Sequence, residues 1–186
     1  MANDIEISDL MNIAGECGFE TKAVLDVSTL VALEDVRKMC EVNTCGAYAA
    51  RWSCPPGCGS LKECGEKMKA FSNGILVQSV GDIEDSLDWE GMMQLKALHD
   101  KRFSELIDKV KDLAQGRGGF DLLPLADGCC SRCTSCTYPD APCRFPDKSM
   151  SSMEAFGLYV ADVCKKNNVA YNYGPGKMCY TGCLLF

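Results

Sequence analysis

The feature that most constrains this chain is a cysteine-rich run between Gly128 and Pro146, which reads GCCSRCTSCTYPDAPCRFP. Its four regularly spaced cysteines, in the pattern C-x2-C-x2-C-x6-C, are Cys130, Cys133, Cys136 and Cys143. Two consecutive C-x2-C steps allow three thiolates to converge on one centre, and the fourth returns after a short loop. This spacing is close to an iron–sulfur ferredoxin run, although its last gap is longer. It therefore predicts a metal centre and favours a [4Fe–4S] cluster.

A second cysteine-rich segment covers residues 40–64, and its five cysteines are Cys40, Cys45, Cys54, Cys58 and Cys64. The two prolines after Cys54 exclude a helix there and give a rigid loop that can hold a thiolate in place. Cys40, Cys45 and Cys54 are predicted to be ligands of a second metal site. Its fourth ligand is Cys58 as the first choice, or Cys64, a cysteine from elsewhere, or none. In the main run, the spacing makes Cys130 the ligand and leaves the adjacent Cys129 spare.

The rest of the composition fits a metal protein better than a secreted disulfide scaffold. The chain has 14 cysteines among 186 residues, and its acidic first residues lack the basic and apolar regions of a signal peptide. Cysteine use on this scale without an export signal indicates metal or redox chemistry. No stretch of about 18 apolar residues suggests a membrane span. We therefore expect a cytoplasmic protein with no membrane partner.

The charge balance excludes one class of partner and favours another. A net charge of -7 argues against nucleic-acid binding through a basic surface. It suits docking on a basic patch of a redox partner protein. The single histidine, His99, is expected to be a partly exposed helix residue. Mechanisms that need a catalytic histidine are therefore poorly supported.

Hydrophobic periodicity predicts one α/β domain over residues 1–186, with a central mixed sheet flanked by helices and two Cys-rich metal-binding loops, at about 40–64 and 128–146. Helices are expected over residues 1–20, Leu61–Phe71, Trp89–Gln115 and Ser151–Lys166. Strands are expected at Ala23–Val27, Ile75–Val80 and Phe120–Leu125, with a final pair at Val169–Tyr173 and Met178–Phe186, and a turn at Gly116–Gly119. A capping box at Ser151 would start the last helix, and its first N–H groups would point toward the cluster.

Three stretches of the sequence resemble an uncharacterised family of predicted metal-binding proteins, domain of unknown function 2284. They are RWSCPP at 51–56, GCCSRCTSCTYPDAPCRFP at 128–146 and SMEAFG at 152–157. The matching residues are Cys40, Cys45, Tyr48, Trp52, Cys54, Pro55, Pro56, Gly128, Cys130, Cys133, Cys136, Cys143 and Arg144. The resemblance implies a cytoplasmic, anaerobe-type protein with bound metal, taken as iron–sulfur. It implies no particular reaction.

Trp52 and Arg144 are the cofactor-binding candidates outside the cysteines, and both match the motifs of that family. Trp52 either packs as an ordinary aromatic residue or shields a cluster and hydrogen-bonds its sulfides. Cys58, Cys64 and Cys129 do not match positions where the family is expected to have cysteine. The chain therefore departs from the family pattern mainly around its first cysteine-rich segment.

Three functions fit these features. The first is an iron–sulfur protein with two [4Fe–4S] clusters that transfers electrons to a partner enzyme. The second is an enzyme whose open-iron cluster activates a substrate or a cofactor. The third is a zinc protein with structural or regulatory four-cysteine sites. Overlapping C-x2-C steps favour a cubane, because four-cysteine zinc sites usually have two C-x2-C knuckles separated by a longer span.

Overall fold

A five-stranded sheet with helices on both faces forms the centre of the protein. The structure is a computed structural model and describes residues 5–116 and 121–186. The strands are β1 (Thr21–Val24), β2 (Gly74–Asp82), β3 (Leu123–Ala126), β4 (Ser151–Ser152) and β5 (Lys177–Leu185). The helices in the described residues are α1 (Ile7–Glu16), α2 (Glu34–Glu41), α3 (Leu61–Lys69), α4 (Trp89–Gly116) and α5 (Val160–Lys166). The predicted α/β class is confirmed.

The sheet is mixed and open, with the strand order β1-β2-β5-β3-β4. β2 and β5 form the longest pair, antiparallel from Gly74 opposite Leu185 to Asp82 opposite Lys177. β1 is antiparallel to β2, and β3 is antiparallel to β5 but parallel to β4. The predicted strand at Ile75–Val80 is confirmed within β2, whose near-continuous apolar sequence fits an interior strand that is covered on both faces.

The two faces of the sheet bury two separate apolar cores, because successive strand residues point to opposite faces. On one face, Ile75 and Val77 pack in a core with Leu10 of α1 and Phe103 of α4. On the other face, Leu76 and Cys183 pack with residues of α3 and α5. The sheet is therefore the middle layer of three. One cysteine-rich loop connects α2 to α3, and the other connects β3 to β4.

The helix predicted over Ser151–Lys166 is wrong in its first half. Ser151 and Ser152 form β4, paired with Leu125 and Ala126, and a short 3₁₀ turn follows at Glu154–Phe156. Gly157 then adopts a left-handed φ of 78°, and the helix begins only at Val160. The Ser152 side chain accepts a hydrogen bond from the backbone N–H of Ala155, which suits a local turn. The predicted helix N-terminus beside the metal loop is therefore absent.

Two further expectations fail for identifiable reasons. Residues 169–173 do not form a strand, because β5 already pairs with β2 on one side and β3 on the other. Instead, Ala170 and Tyr173 hydrogen-bond to the buried side chain of Gln78. His99 is fully buried rather than partly exposed, because it lies one turn before Phe103 on the face of α4 that packs on the sheet.

The remaining predicted helices and strands are present with shifted ends: β1 covers Thr21–Val24 rather than Ala23–Val27, and α1 ends at Glu16. The Ser60–Glu63 capping box starts α3, as predicted. The predicted turn over 117–119 and the start of the predicted strand at Phe120 lie outside the described residues. No helix among the described residues is both long enough and apolar enough to span a membrane.

Candidate metal centre

The main cysteine loop connects β3 to β4, and its four predicted ligands line one cavity. These are Cys130, Cys133, Cys136 and Cys143. All four are partly exposed. The loop has no helix or strand of its own between Gly128 and Phe145. The sheet therefore fixes both ends of the loop and leaves its cysteines free to turn inward.

Residues 51–53 of the first cysteine-rich segment hold this loop from the side. The hydroxyl of Ser53 accepts a hydrogen bond of 3.1 Å from the backbone N–H of Cys130. The guanidinium of Arg51 donates a hydrogen bond of 2.9 Å to the carbonyl of the same residue. Both backbone polar groups of Cys130 are thus fixed by the neighbouring segment. The RWSCPP motif and the main cysteine run belong to one structural unit.

Trp52 and Arg144 both line the cavity of the four cysteines. The indole N–H of Trp52 donates to the carbonyl of Ala141 at 3.0 Å, and its ring packs edge-on against Tyr138 with the centroids 4.9 Å apart. Arg144 donates to the carbonyl of Ser135 at 2.8 Å. These contacts brace the loop between Ser135 and Ala141. Both residues therefore shape the wall of the cavity through the loop backbone.

The cavity is electropositive apart from its thiols. Arg51, Arg132 and Arg144 line it, and no carboxylate of the described residues does. Burial raises the pKa of Cys136, but hydrogen bonds from the backbone N–H groups of Tyr138, Trp52 and Thr137 outweigh it, and the pKa falls. Thiolates in this cavity are therefore met by fixed positive charges and by oriented N–H dipoles.

The first cysteine-rich segment does not gather its cysteines into one group. The thiols of Cys54 and Cys129, which comes from the main run, lie close enough to act on each other. Their interaction lowers the pKa of Cys129 to about 6 and, together with burial, raises that of Cys54. Cys45 lies close enough for its charge to raise the pKa of both Cys54 and Cys40. Cys54 and Cys129 thus form the centre of a second thiol group beside the main cavity.

The thiol of Cys58 lies 3.7 Å from the carbonyl of Ala155. It shares a side-chain hydrogen bond with Cys64, and both residues are buried. The thiol of Cys40 lies 3.9 Å from the carbonyl of Glu154. The five cysteines of residues 40–64 are therefore divided between a group of Cys40, Cys45 and the buried Cys54, and a buried pair of Cys58 and Cys64.

Comparison with family profiles matches residues 23–186 to a family described as predicted metal-binding protein (DUF2284). The chain belongs to this family. The match includes all 13 cysteines after Cys17 and extends over both cysteine-rich loops. Comparison with curated proteins and with solved structures gave no match.

Cys129 is the site residue that sequence reasoning set aside. It was not expected to be a ligand, because spacing to Cys133 already selected Cys130. A signal was nevertheless present in the doublet itself. Side chains of adjacent residues in an extended segment point to opposite sides. A Cys-Cys doublet on such a segment can therefore serve two centres, and here Cys130 faces the main cavity while Cys129 contacts Cys54.

The donor set fits the metal binding that gives this family its description. Thiolates are soft ligands that suit iron–sulfur clusters and zinc. The three arginines oppose the negative charge that four thiolates would bring. Among residues 5–116 and 121–186, no three Cys, His, Asp or Glu side chains are grouped as a site for a single metal ion. The fit therefore rests on the four thiols that line one cavity and on the charge around them.

Two larger cavities flank this unit. A cleft of about 810 Å³ is lined by Trp52, Cys143 and Cys58 together with the apolar start of β3. A second, polar cavity of about 280 Å³ is lined by Cys129, Cys130 and an ion pair between Lys96 and Asp127. Burial raises the pKa of Asp127 to about 6, although Lys96 lowers it. The thiol groups are therefore reachable from two sides by small molecules.

Proposed function

We propose that the protein binds two [4Fe–4S] clusters and transfers electrons to a partner enzyme. The observation that carries the proposal is the single cavity lined by the four cysteines of the C-x2-C-x2-C-x6-C run, with three arginines and no carboxylate among the described residues. A [4Fe–4S] cluster takes four cysteine thiolates, and its potential depends on charge and on hydrogen bonds to sulfur. Arginines and backbone N–H groups around Cys136 supply both influences.

The second cluster would use the thiol group centred on Cys54 and Cys129. Cys45 is its third ligand and Cys40 its fourth in this proposal. The two clusters would then be held by adjacent residues, Cys129 and Cys130, whose Cα atoms are about 3.8 Å apart. A pair of clusters this closely tied would form a short path for single electrons between the two sides of the loop.

A partner enzyme would receive these electrons. The net charge of -7 supports docking on a basic surface of that partner. His99, the only histidine, is buried on the face of α4 that packs on the sheet, and it lies outside the thiol cavities. The charged residues that line the cavity of the four main-run cysteines are three arginines, Arg51, Arg132 and Arg144. This arrangement is suited to holding a redox centre rather than to acid–base catalysis.

The test is anaerobic purification followed by metal analysis and visible absorption spectroscopy. Two clusters predict a brown protein with about eight iron atoms per chain. About four iron atoms per chain would leave the second thiol group without a cluster. A colourless protein that contains zinc and no iron would contradict the proposal and establish the zinc alternative.

The cleft of about 810 Å³ favours one second candidate, an enzyme that uses an open iron. Its size lies within the range of small-molecule sites, and Trp52 and Cys143 border it. An exogenous ligand such as cyanide would then alter the electron paramagnetic resonance spectrum of the reduced protein. Two clusters with four cysteine ligands each would give a spectrum that cyanide leaves unchanged.

A further inference from the structure

The segment that joins β2 to α4 presents large apolar side chains to solvent. Leu87 is 85% exposed, and Trp89, the first residue of α4, is 71% exposed. Met93, about one turn further along the helix, is also exposed. Tryptophan is highly buried on average in folded proteins, so one that is mostly exposed is informative. Neighbouring apolar side chains held in solvent in this way mark a surface that contacts another molecule.

Hydrogen bonds hold this segment in one conformation. The carboxylate of Asp88 accepts hydrogen bonds from the backbone N–H groups of Glu84 at 3.0 Å and Gly91 at 2.8 Å. The carboxylate of Asp85 accepts one from the backbone N–H of Leu87 at 2.7 Å. The backbone that carries the exposed residues is thus braced by side chains before any partner binds. A surface that is already ordered loses little conformational entropy on binding.

Acidic side chains accompany the exposed apolar residues. Residues 82–95 contain no lysine or arginine and five carboxylates, which belong to Asp82, Glu84, Asp85, Asp88 and Glu90. Lys177 pairs with the first of these, and no ion pair between described residues involves the other four. The apolar surface therefore has a negatively charged rim.

One face of α4 connects this surface to the second thiol group. Trp89, Met93 and Lys96 follow one another at steps of four and three residues, so they lie on the same face of the helix. Lys96 lines the polar cavity of about 280 Å³ together with Cys129. It follows Trp89 by seven residues, or about 10 Å along the helix axis. A protein that binds Trp89 would therefore lie beside that cavity.

The charge around the surface selects one kind of occupant. A second copy of the chain would bring two acidic rims together, and a membrane with anionic lipids would repel the same carboxylates. A protein surface with lysines and arginines would be attracted. Its apolar part would have to accept the indole ring of Trp89, and tryptophan is among the residues that contribute most to protein–protein binding. An apolar pocket with a basic rim therefore complements residues 82–93.

We propose that Leu87, Trp89 and Met93, with the carboxylates around them, form the docking surface for the electron acceptor, a protein with an apolar pocket rimmed by lysines and arginines. This inference rests on the electron transfer proposed above and adds the place where the partner binds. Trp89 is the anchor of the contact, and the carboxylates steer the approach of the partner.

The test uses cytochrome c, a basic haem protein, and measures binding apart from electron transfer. Isothermal titration calorimetry at low ionic strength gives the Kd for the protein purified without oxygen. Trp89→Ala should weaken binding by about tenfold or more, the loss typical of an anchoring residue. Glu84→Gln should weaken binding less and should reduce its dependence on salt.

Electron transfer is followed by stopped-flow absorption after the protein has been reduced with dithionite and desalted. Each reduced protein gives one electron to ferric cytochrome c, which becomes ferrous. Trp89→Ala should slow this reaction at low protein concentration, because fewer complexes form. Reduction of ferricyanide, a small acceptor that needs no docking surface, should proceed at the wild-type rate.

Two control variants match these changes. Leu98→Ala is the apolar control, because Leu98 is exposed on α4 about two and a half turns after Trp89 and so lies on the opposite side of the helix. Asp162→Asn is the charge control, because Asp162 is exposed on α5, which packs on the other face of the sheet. Both should bind cytochrome c as the wild type does.

The docking surface and the electron transfer fail in different ways. Equal binding by Trp89→Ala, Leu98→Ala and the wild type, or no binding by the wild type, would overturn the docking surface. Electron transfer would still stand if the protein contained iron and reduced ferricyanide. A protein without iron would contradict electron transfer itself, and the surface would then have no acceptor to dock.

Discussion

At the residue scale, the adjacent cysteines Cys129 and Cys130 divide the metal-binding region into two groups. Cys130 is fixed by Ser53 and Arg51 and faces the main cavity. The thiol of Cys129 interacts with that of Cys54, and this interaction lowers the pKa of Cys129. A single peptide bond therefore separates the two thiol groups.

The pairing of Cys54 with Cys129 leads to the first prediction. Cys54→Ser and Cys129→Ser should each remove the second cluster, or about four iron atoms per chain, and the double variant should remove no more than either single one. Iron determination by a colorimetric assay measures this. Cys179→Ser is the matched control, because Cys179 is partly exposed on β5 and lies outside both groups. Additive losses in the double variant would show that the two cysteines serve different centres.

His99 gives the second prediction, on the pH dependence of stability. Its Nδ1 is 3.1 Å from the hydroxyl of Ser79, and burial lowers the pKa of His99 from 6.5 to about 4. Between these values the unfolded chain binds a proton that the folded chain does not. The free energy of unfolding should therefore fall as the pH falls through this window, by up to about 1.4 kcal/mol per pH unit.

This contribution is measured by urea denaturation at a series of pH values for the wild type and for His99→Gln. Other titrating groups contribute to both proteins, so the difference between the two curves isolates the histidine. The wild type should lose more stability than the variant on acidification. Parallel curves would mean that the pKa of His99 is the same in the folded protein as in the unfolded chain.

At the scale of elements, the sequence best predicted the helices and strands whose apolar residues recur at a regular spacing. β2, α3 and α4 follow the predicted ranges because apolar periodicity and the Ser60–Glu63 capping box depend on nearby residues alone. The region after the metal loop was predicted wrongly. Ser151 and Glu154 have the spacing of a capping box, but pairing of β4 with β3 decides their conformation. Such pairing joins residues that are distant in sequence, and local patterns do not contain it.

The same limit applies to the site. The spacing of the main run predicts that its four cysteines converge, and all four line one cavity, because C-x2-C steps fix neighbours over a few residues. The partners of Cys54 and Cys58 depend on how residues 40–64 fold onto the main loop. The contacts of Arg37 with Ala155 and of Arg51 with Cys130 fix that packing. Neither contact has a sequence signal.

Gly157 gives the third prediction, because it ends the turn that replaces the expected helix. Its φ is 78°, and a Cβ there would clash with Leu61 Cδ1 and lie 3.1 Å from the backbone N of Leu33. Gly157→Ala should therefore destabilise the protein through both an unfavourable φ, which costs about 1–2 kcal/mol, and a steric clash.

The control is Gly174→Ala, since Gly174 has a φ of 91° but no atom within 4 Å of an added Cβ. Chemical denaturation should show a clearly larger loss for Gly157→Ala than for Gly174→Ala. Equal losses would mean that the packing of Leu33 and Leu61 against the turn contributes nothing.

At the scale of the whole molecule, the overall charge and the charge around the main cavity have opposite signs. The chain carries a net charge of -7, while three arginines line the main cavity. Those arginines donate hydrogen bonds to carbonyls of the loop and of its flanks, at Cys130, Lys148 and Ser135. They therefore act locally on the thiolates, and the overall negative charge governs the approach of a partner at long range.

This separation predicts how electron transfer responds to salt. With a basic haem protein as the electron acceptor, the second-order rate from the reduced protein should fall as ionic strength rises, because salt screens attraction between opposite charges. Stopped-flow absorption measures the rate. A rate that increases with salt would show that the arginines around the cavity dominate the docking surface.

The most direct test of the central claim is the iron content of Cys143→Ser beside that of Cys179→Ser, both purified without oxygen. Cys143 closes the main run and lines the shared cavity, whereas Cys179 lies on β5 outside it. We predict that Cys143→Ser loses about four iron atoms per chain and part of the visible absorption, while Cys179→Ser retains the wild-type values. An unchanged iron content in Cys143→Ser would contradict the assignment of the main cysteine loop as a cluster site.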